Sequence, residues 1–132
     1  AGVMPKLELA IAQQETDLFA FPYDPIGTDA VTALAGMEMA AYGSAMLMSA
    51  NGGLPTVFDG GAEFLPMPVN YDQWLGAIVR VLKDDEERQE MSARAIQWAR
   101  RHPWQKHEME WRTLLSTKRS LRVVPAAVSG SR

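Results

Sequence analysis

Three short apolar runs, each stopped by proline or a Gly-containing turn, alternate with longer stretches of helical patterning, and this alternation constrains the chain most. The runs are residues 17–22 (Asp-Leu-Phe-Ala-Phe-Pro), Ala45–Ser49 (Ala-Met-Leu-Met-Ser) and residues 63–67 (Glu-Phe-Leu-Pro-Met). They are too short for helices and apolar on both faces, which is the form of strands buried in a parallel sheet. Strands interleaved with helices predict an α/β fold: a partial, Rossmann-like parallel sheet of about three strands with C-terminal helices.

The helical stretches fit that plan. Residues 5–15 carry an apolar side with polar interruptions. Residues 30–42 form a second helix, which Thr28 or Asp29 can cap and Gly43 can end. Residues 51–55 are a tight loop, and a short helix is expected to begin at Thr56 to Phe58. Tyr71–Lys83 is expected to bury Trp74, Leu75, Ile78, Val79 and Leu82 at helical spacing. Asp84 with Glu87 three residues later resembles a capping box and opens a helix to Arg101. Pro103 breaks that helix and opens a last one, whose apolar residues are Trp104, Met109, Trp111, Leu114 and Leu115. From about Ser116 the chain turns polar and basic. The expected division is therefore a body, residues 1–115, and a basic flexible tail, residues 116–132.

Composition removes several function classes. At 132 residues, 47% hydrophobic and 22% charged, the chain is one domain or part of one, with a packed core. Residues 118–132 hold four basic and no acidic residues, leaving nine basic and sixteen acidic residues, a net of −7, in the rest. An acidic body and the absence of a nucleic-acid motif argue against a nucleic-acid partner. The basic tail gives only weak support to membrane contact. No cysteine is present, which excludes disulfides, zinc–thiolate sites and a thiol nucleophile and fits a cytoplasmic setting. No apolar run is long enough to span a bilayer, and no signal peptide is expected. The start on Ala1 rather than Met suggests processing or a chain cut from something longer.

Three places can carry chemistry. A helix N-terminus at the carboxyl end of a parallel strand offers free N–H groups to an anion, and Gly27, Thr28, Asp29 and Thr32 lie at that junction. Most such junctions bind nothing. Glu38 is the lone carboxylate of a helix that is otherwise nearly all apolar. It either lies on an exposed face or pairs with a nearby base, or it accepts ligand hydroxyls, and from the helix alone the plainer reading ranks ahead. Gly52 and Gly53 follow the second strand and form either a plain turn or the backbone wall of a ligand cleft.

The order of these pieces resembles the retaining glycosyltransferases of family 4. Met37-Glu38-Met39-Ala40-Ala41-Tyr42-Gly43 resembles that family's Leu-Glu-Ala-Met-Ala-x-Gly run. The strand Ala45–Ser49 then leads to Gly52-Gly53-Leu54-Pro55-Thr56, similar to the family's Gly-Gly-Leu-Pro-Glu. The likeness extends upstream to residues 17–22 and downstream through residues 82–88 to Trp104, about residues 5 to 115 in all.

The resemblance implies the end of the C-terminal domain of a two-Rossmann-domain (GT-B) enzyme, with residues 1–115 as its nucleotide-sugar-binding part. It implies that Glu38 binds ribose hydroxyls, that the segment from Gly27 to Thr32 holds the diphosphate, and that Gly52 and Gly53 wall the cleft. The implied reaction moves a hexosyl-type group from an NDP-sugar to a hydroxyl acceptor, with no metal or further cofactor. The sequence departs from the family at Ala30, where the family has a sugar-contacting Glu, and at Thr56. Asp24-Pro25-Ile26-Gly27 imitates the family's Glu-Pro-Phe-Gly but sits six residues too far upstream. The acceptor side and the upstream diphosphate-clamping bases are absent, so the chain alone is not expected to be active. The competing expectation is an inactive relative that serves as an interaction module. Both expect either a missing N-terminal half or self-association through an open sheet edge. His102 and His107 are a poor metal pair, Trp74, Trp98, Trp104 and Trp111 are expected in the core, and Met37, Met39, Met46 and Met48 as gap-filling core residues.

Overall fold

The computed structural model describes residues 4–23 and 34–117. The chain divides into two compact units, Ala1–Arg101 and His102–Arg132.

The first unit contains α1 (Lys6–Gln14), β1 (Leu18–Phe21), α2 (Leu34–Tyr42), β2 (Ala45–Ser49), α3 (Leu54–Val57), β3 (Glu63–Leu65), α4 (Tyr71–Lys83) and α5 (Asp85–Arg101). The three strands form one parallel sheet in the order β1-β2-β3. Leu18 lies opposite Ala45 and Phe21 opposite Met48, while Leu47 lies opposite Glu63 and Ser49 opposite Leu65. Parallel neighbours need long crossovers, which the segments carrying α2 and α3 provide. This is the partial Rossmann-like sheet that the alternation predicts.

Every residue of β2 is buried, and successive side chains feed two cores. Met46 and Met48 join Met39 and Ala40 of α2, Leu54, Phe58, and Ala95 and Trp98 of α5. Ala45 and Leu47 point the other way, toward Trp74, Ala77 and Val81 of α4 and Met91 of α5. The two-residue alternation of a strand thus distributes the core between helices on both faces. The methionines behave as expected, with Met39, Met46 and Met48 buried and Met37 packed against the first core.

Two glycines permit the closest packing. A Cβ on Gly36 of α2 would lie 2.8 Å from the Phe58 ring and 3.1 Å from Met48 Cε. A Cβ on Gly61 would lie 2.6 to 2.9 Å from three atoms of Trp98. Between them, the Phe58 and Trp98 rings stack with centroids 4.5 Å apart, and the Trp98 indole N–H donates to the Val57 carbonyl at 2.8 Å.

Several expectations need correction. Residues 17–22 read as a buried strand, but β1 is only half buried, because β2 is its one strand partner among the described residues. In α4, Leu75, Val79 and Leu82 are exposed, while Trp74, Ala77 and Val81 are buried. The stripe at 74, 77 and 81 is as regular as the expected one, and the small Ala77 lets α4 approach the sheet. The short helix starts at Leu54 rather than at residues 56–58. Asp84 does cap α5, accepting from the Glu87 N–H at 3.0 Å. The reciprocal half of the capping box is missing: the Asp84 N–H donates to the Arg80 carbonyl, and the Glu87 carboxylate pairs with the Arg80 guanidinium, which also holds Glu63. Asn70, which the sequence reading passed over, caps α4 by accepting from the Gln73 N–H at 3.0 Å.

The second unit is described by α6 (Trp104–Thr117), which starts just after Pro103. Trp104 and Trp111 are 67% and 64% exposed, so neither is the core residue expected. Met109, Leu114 and Leu115 are exposed as well. His107 lies 3.5 Å from Glu110, with its ring 6.5 Å from that of His102. The helix includes Ser116 and Thr117, and the rest of the predicted tail lies outside the described residues. No helix of the described residues is long and apolar enough to cross a membrane.

Candidate functional site at the carboxyl edge of the sheet

In an open parallel sheet the carboxyl ends of the strands form the edge where loops and helix N-termini converge on a ligand. Here that edge is built by the ends of β1 and β2. β1 runs into Pro22 and Tyr23, and β2 runs into the loop that leads to α3.

A fully buried serine ties the two ends together. Ser49, the last residue of β2, is 0% exposed. Its hydroxyl accepts from the Tyr23 N–H at 3.1 Å and donates to the Tyr23 carbonyl at 2.8 Å. The Asn51 side-chain amide reaches the same carbonyl at 3.4 Å. The Tyr23 ring continues a ladder along β1, stacked on Phe21 at 5.4 Å, with Phe21 stacked on Phe19 at 5.6 Å. Backbone and ring therefore both fix Tyr23, the last described residue before the segment that carries Gly27, Thr28, Asp29 and Thr32. Those four lie outside the described residues, as do Asp24 and Ala30.

Ser49 and Asn51 were missed as functional candidates, because their partner is 26 to 28 residues away and nothing local marks it. Ser49→Ala is expected to lower stability by about 1 kcal/mol. The cost stays modest because the Tyr23 N–H also reaches the Phe21 carbonyl, and Asn51 still serves the Tyr23 carbonyl. Urea unfolding followed by circular dichroism checks it, and an unchanged midpoint would mean that Ser49 does not hold the strand ends.

The Gly52–Gly53 turn sits at the same edge. Gly52 has φ +51°, a conformation that favours glycine. Gly53 precedes α3, and among the described residues a Cβ built on it meets nothing within 4 Å, so no described side chain covers this stretch of backbone. Leu54, the first residue of α3, is buried and anchors the turn from below.

Glu38 lies on α2, whose last residue leads through Gly43 into the start of β2, so its N-terminal end points toward the carboxyl edge of the sheet. Met39 and Ala40 turn into the core, while Glu38 is exposed. Its Oε2 accepts from the side-chain amide of Gln13 on α1 at 3.1 Å. The partner expected for this carboxylate is thus an uncharged amide rather than a base. The turn between α1 and β1 is held to the start of β2: the Ser44 hydroxyl donates to the Thr16 carbonyl at 2.8 Å and the Ala45 N–H to the Asp17 carbonyl at 3.0 Å. The structure brings Tyr23, Ser49, Asn51, Gly52 and Gly53 to one edge. Among the described residues no hydrogen bond links Glu38 to that group.

Residues 35–115 match the family described as glycosyl transferase-like, which takes in α2 from its second residue, the Gly52–Gly53 turn, α3 to α5 and α6 as far as Leu115. The chain belongs to the glycosyl transferase-like family. No curated protein and no solved structure matches it. The assignment agrees with the resemblance read from the residue pattern, and it relates the chain to glycosyl transfer. In this glycosyl transferase-like chain the matched region opens at the second residue of α2, so Glu38 and the Gly52–Gly53 turn fall inside it, and Tyr23 and Gln13 outside.

Proposed function

We propose that this chain binds the nucleoside diphosphate part of a nucleotide-sugar donor at the carboxyl edge of its sheet, as part of glycosyl transfer from an NDP-sugar to a hydroxyl acceptor. The observation that carries the reading is the tying of Tyr23 to Ser49 and Asn51, next to the Gly52–Gly53 turn, at the carboxyl ends of β1 and β2. In this reading Gly27, Thr28, Asp29 and Thr32 offer backbone and side-chain donors to the diphosphate. Glu38 accepts from the ribose hydroxyls, and Gly52 and Gly53 let the donor approach the backbone closely. Family membership supports the donor class.

Glycosyl transfer needs an acceptor placed against the donor and a charge that stabilises the departing diphosphate. The described residues of the first unit supply one wall, so the acceptor wall comes from another segment or another chain. β1 and β3 each have one strand neighbour among the described residues, which leaves edges on which a second strand-bearing partner could build. A purely interactive role through such an edge is the competing reading.

Calorimetric titration with UDP, GDP and ADP tests the proposal. The folded chain is expected to bind at least one of them, and Glu38→Ala to weaken that binding about 10-fold or more, the loss of a charged acceptor for two hydroxyls. A folded chain that binds none of the three would overturn the donor site and leave the interaction role.

A further inference from the structure

We propose that Gln13 is a positioning residue for Glu38, and that the pair makes the site selective for ribonucleotides over 2′-deoxyribonucleotides. The inference rests on the donor-site reading above and adds to it a residue outside the matched family region.

The argument starts from what a carboxylate needs in order to read a vicinal diol. Two hydroxyls donate to it in a fixed geometry, so its plane must be held before the ligand arrives. A glutamate on an exposed helix face has three rotatable bonds and is not held by its own helix. Neither of the flanking residues, Met37 and Met39, has a side chain that could donate a strong hydrogen bond. The restraint comes instead from α1, 25 residues earlier, where Gln13 donates to Oε2. Oε1 has no hydrogen-bond partner among the described residues, and Oε2 keeps a second lone pair. Both oxygens therefore remain able to accept.

The chemistry of the partner matters as much as its place. A lysine or arginine at position 13 would neutralise the carboxylate and compete with the ligand for it. An amide orients the carboxylate while leaving its full negative charge to the incoming hydroxyls. The turn that follows α1 is pinned, because the Ser44–Thr16 and Ala45–Asp17 hydrogen bonds join it to the chain on either side of the start of β2. The Thr16 N–H donates in turn to the Gln13 carbonyl at 3.3 Å, which ties the backbone of Gln13 to that pinned turn.

The test compares the nucleoside diphosphate that binds best with its 2′-deoxy counterpart, by calorimetry, in the wild type, Gln13→Ala, Gln13→Glu and Glu38→Ala. The wild type is expected to prefer the ribonucleotide. Gln13→Ala is expected to lose about 3- to 10-fold in ribonucleotide affinity with little change for the deoxy form, so that selectivity collapses. Gln13→Glu, which sets two carboxylates together, is expected to lose more. Combining Gln13→Ala with Glu38→Ala is expected to add nothing to Glu38→Ala alone. A purely structural role for Gln13 would weaken both nucleotides equally, and thermal melts show whether each variant is folded. If the wild type binds and Glu38→Ala weakens it, but Gln13→Ala keeps wild-type selectivity, the positioning role alone is overturned. If the wild type binds no nucleotide, the donor-site reading fails and this inference fails with it.

Discussion

Trp98→Ala is expected to destabilise the first unit by about 3–5 kcal/mol, the range for removing a large buried aromatic side chain. Trp98 is 3% exposed and stands where three parts of the chain meet. Its ring stacks on Phe58, its indole N–H is bonded to the Val57 carbonyl, and its Cβ, Cγ and Cδ1 lie over Gly61. Truncation removes the packing of all three at once and takes the indole donor from the Val57 carbonyl. Since small domains are stable by only about 5–15 kcal/mol, the loss takes up much of the total. Trp98→Phe keeps most of the ring and removes the N–H, so it is expected to cost less. Gly61→Ala attacks the same contact from the other side, with a Cβ that three indole and Cβ atoms already exclude. Urea unfolding followed by far-ultraviolet circular dichroism measures all three. A loss below about 1 kcal/mol for Trp98→Ala would mean that α5 is not seated on the α3 segment through this ring.

Much of the fold was legible because it is local. The apolar runs ending in Pro22, Gly52 and Pro66 placed three strands, and the 3.6-residue patterns placed α1, α2, α4 and α5 to within a few residues. The facing of an amphipathic helix was less legible. In α4 the sequence offers two apolar stripes, and only the sheet decides that Ala77 and Val81 turn inward while Leu75 and Val79 do not. Trp104 and Trp111 misled in the same way, since an apolar side chain on a helix does not by itself show that the helix has a core to face. At the site, the glycines and Glu38 stood out as departures from a local pattern: two glycines after a strand, one charge in an apolar helix. Ser49, Asn51 and Gln13 did not, because each acts on a residue 25 to 28 positions away and looks ordinary among its neighbours. Long-range hydrogen bonds leave no trace in periodicity.

Gly36→Ala is expected to destabilise the chain by about 1–3 kcal/mol, against the normal sign for a glycine inside a helix. Alanine in place of an unencumbered helical glycine stabilises by about 0.5–1 kcal/mol, because the unfolded chain loses freedom and the helix gains a better former. Gly76 of α4 meets that description, since no other described residue lies within 4 Å of a Cβ built there, and Gly76→Ala serves as the control. At Gly36 the new methyl would lie 2.8 Å from the tip of the Phe58 ring. Phe58 is fully buried and braced from behind by Trp98 at 4.5 Å, so it cannot retreat, and α2 must lift off β2 instead. Glu38 is two residues further along α2 and would move with it, away from Gln13. The substitution should therefore lower stability and ribonucleotide affinity together, whereas Gly76→Ala should raise the first and leave the second alone. Parallel denaturant melts and titrations of the two variants separate the outcomes. If Gly36→Ala stabilises as Gly76→Ala does, α2 is not packed against Phe58, and the aromatic stack does not set the position of the candidate ribose-binding carboxylate. If it destabilises while affinity is unchanged, the stack supports the fold, and Glu38 reaches its ligand by side-chain freedom rather than by the seating of its helix.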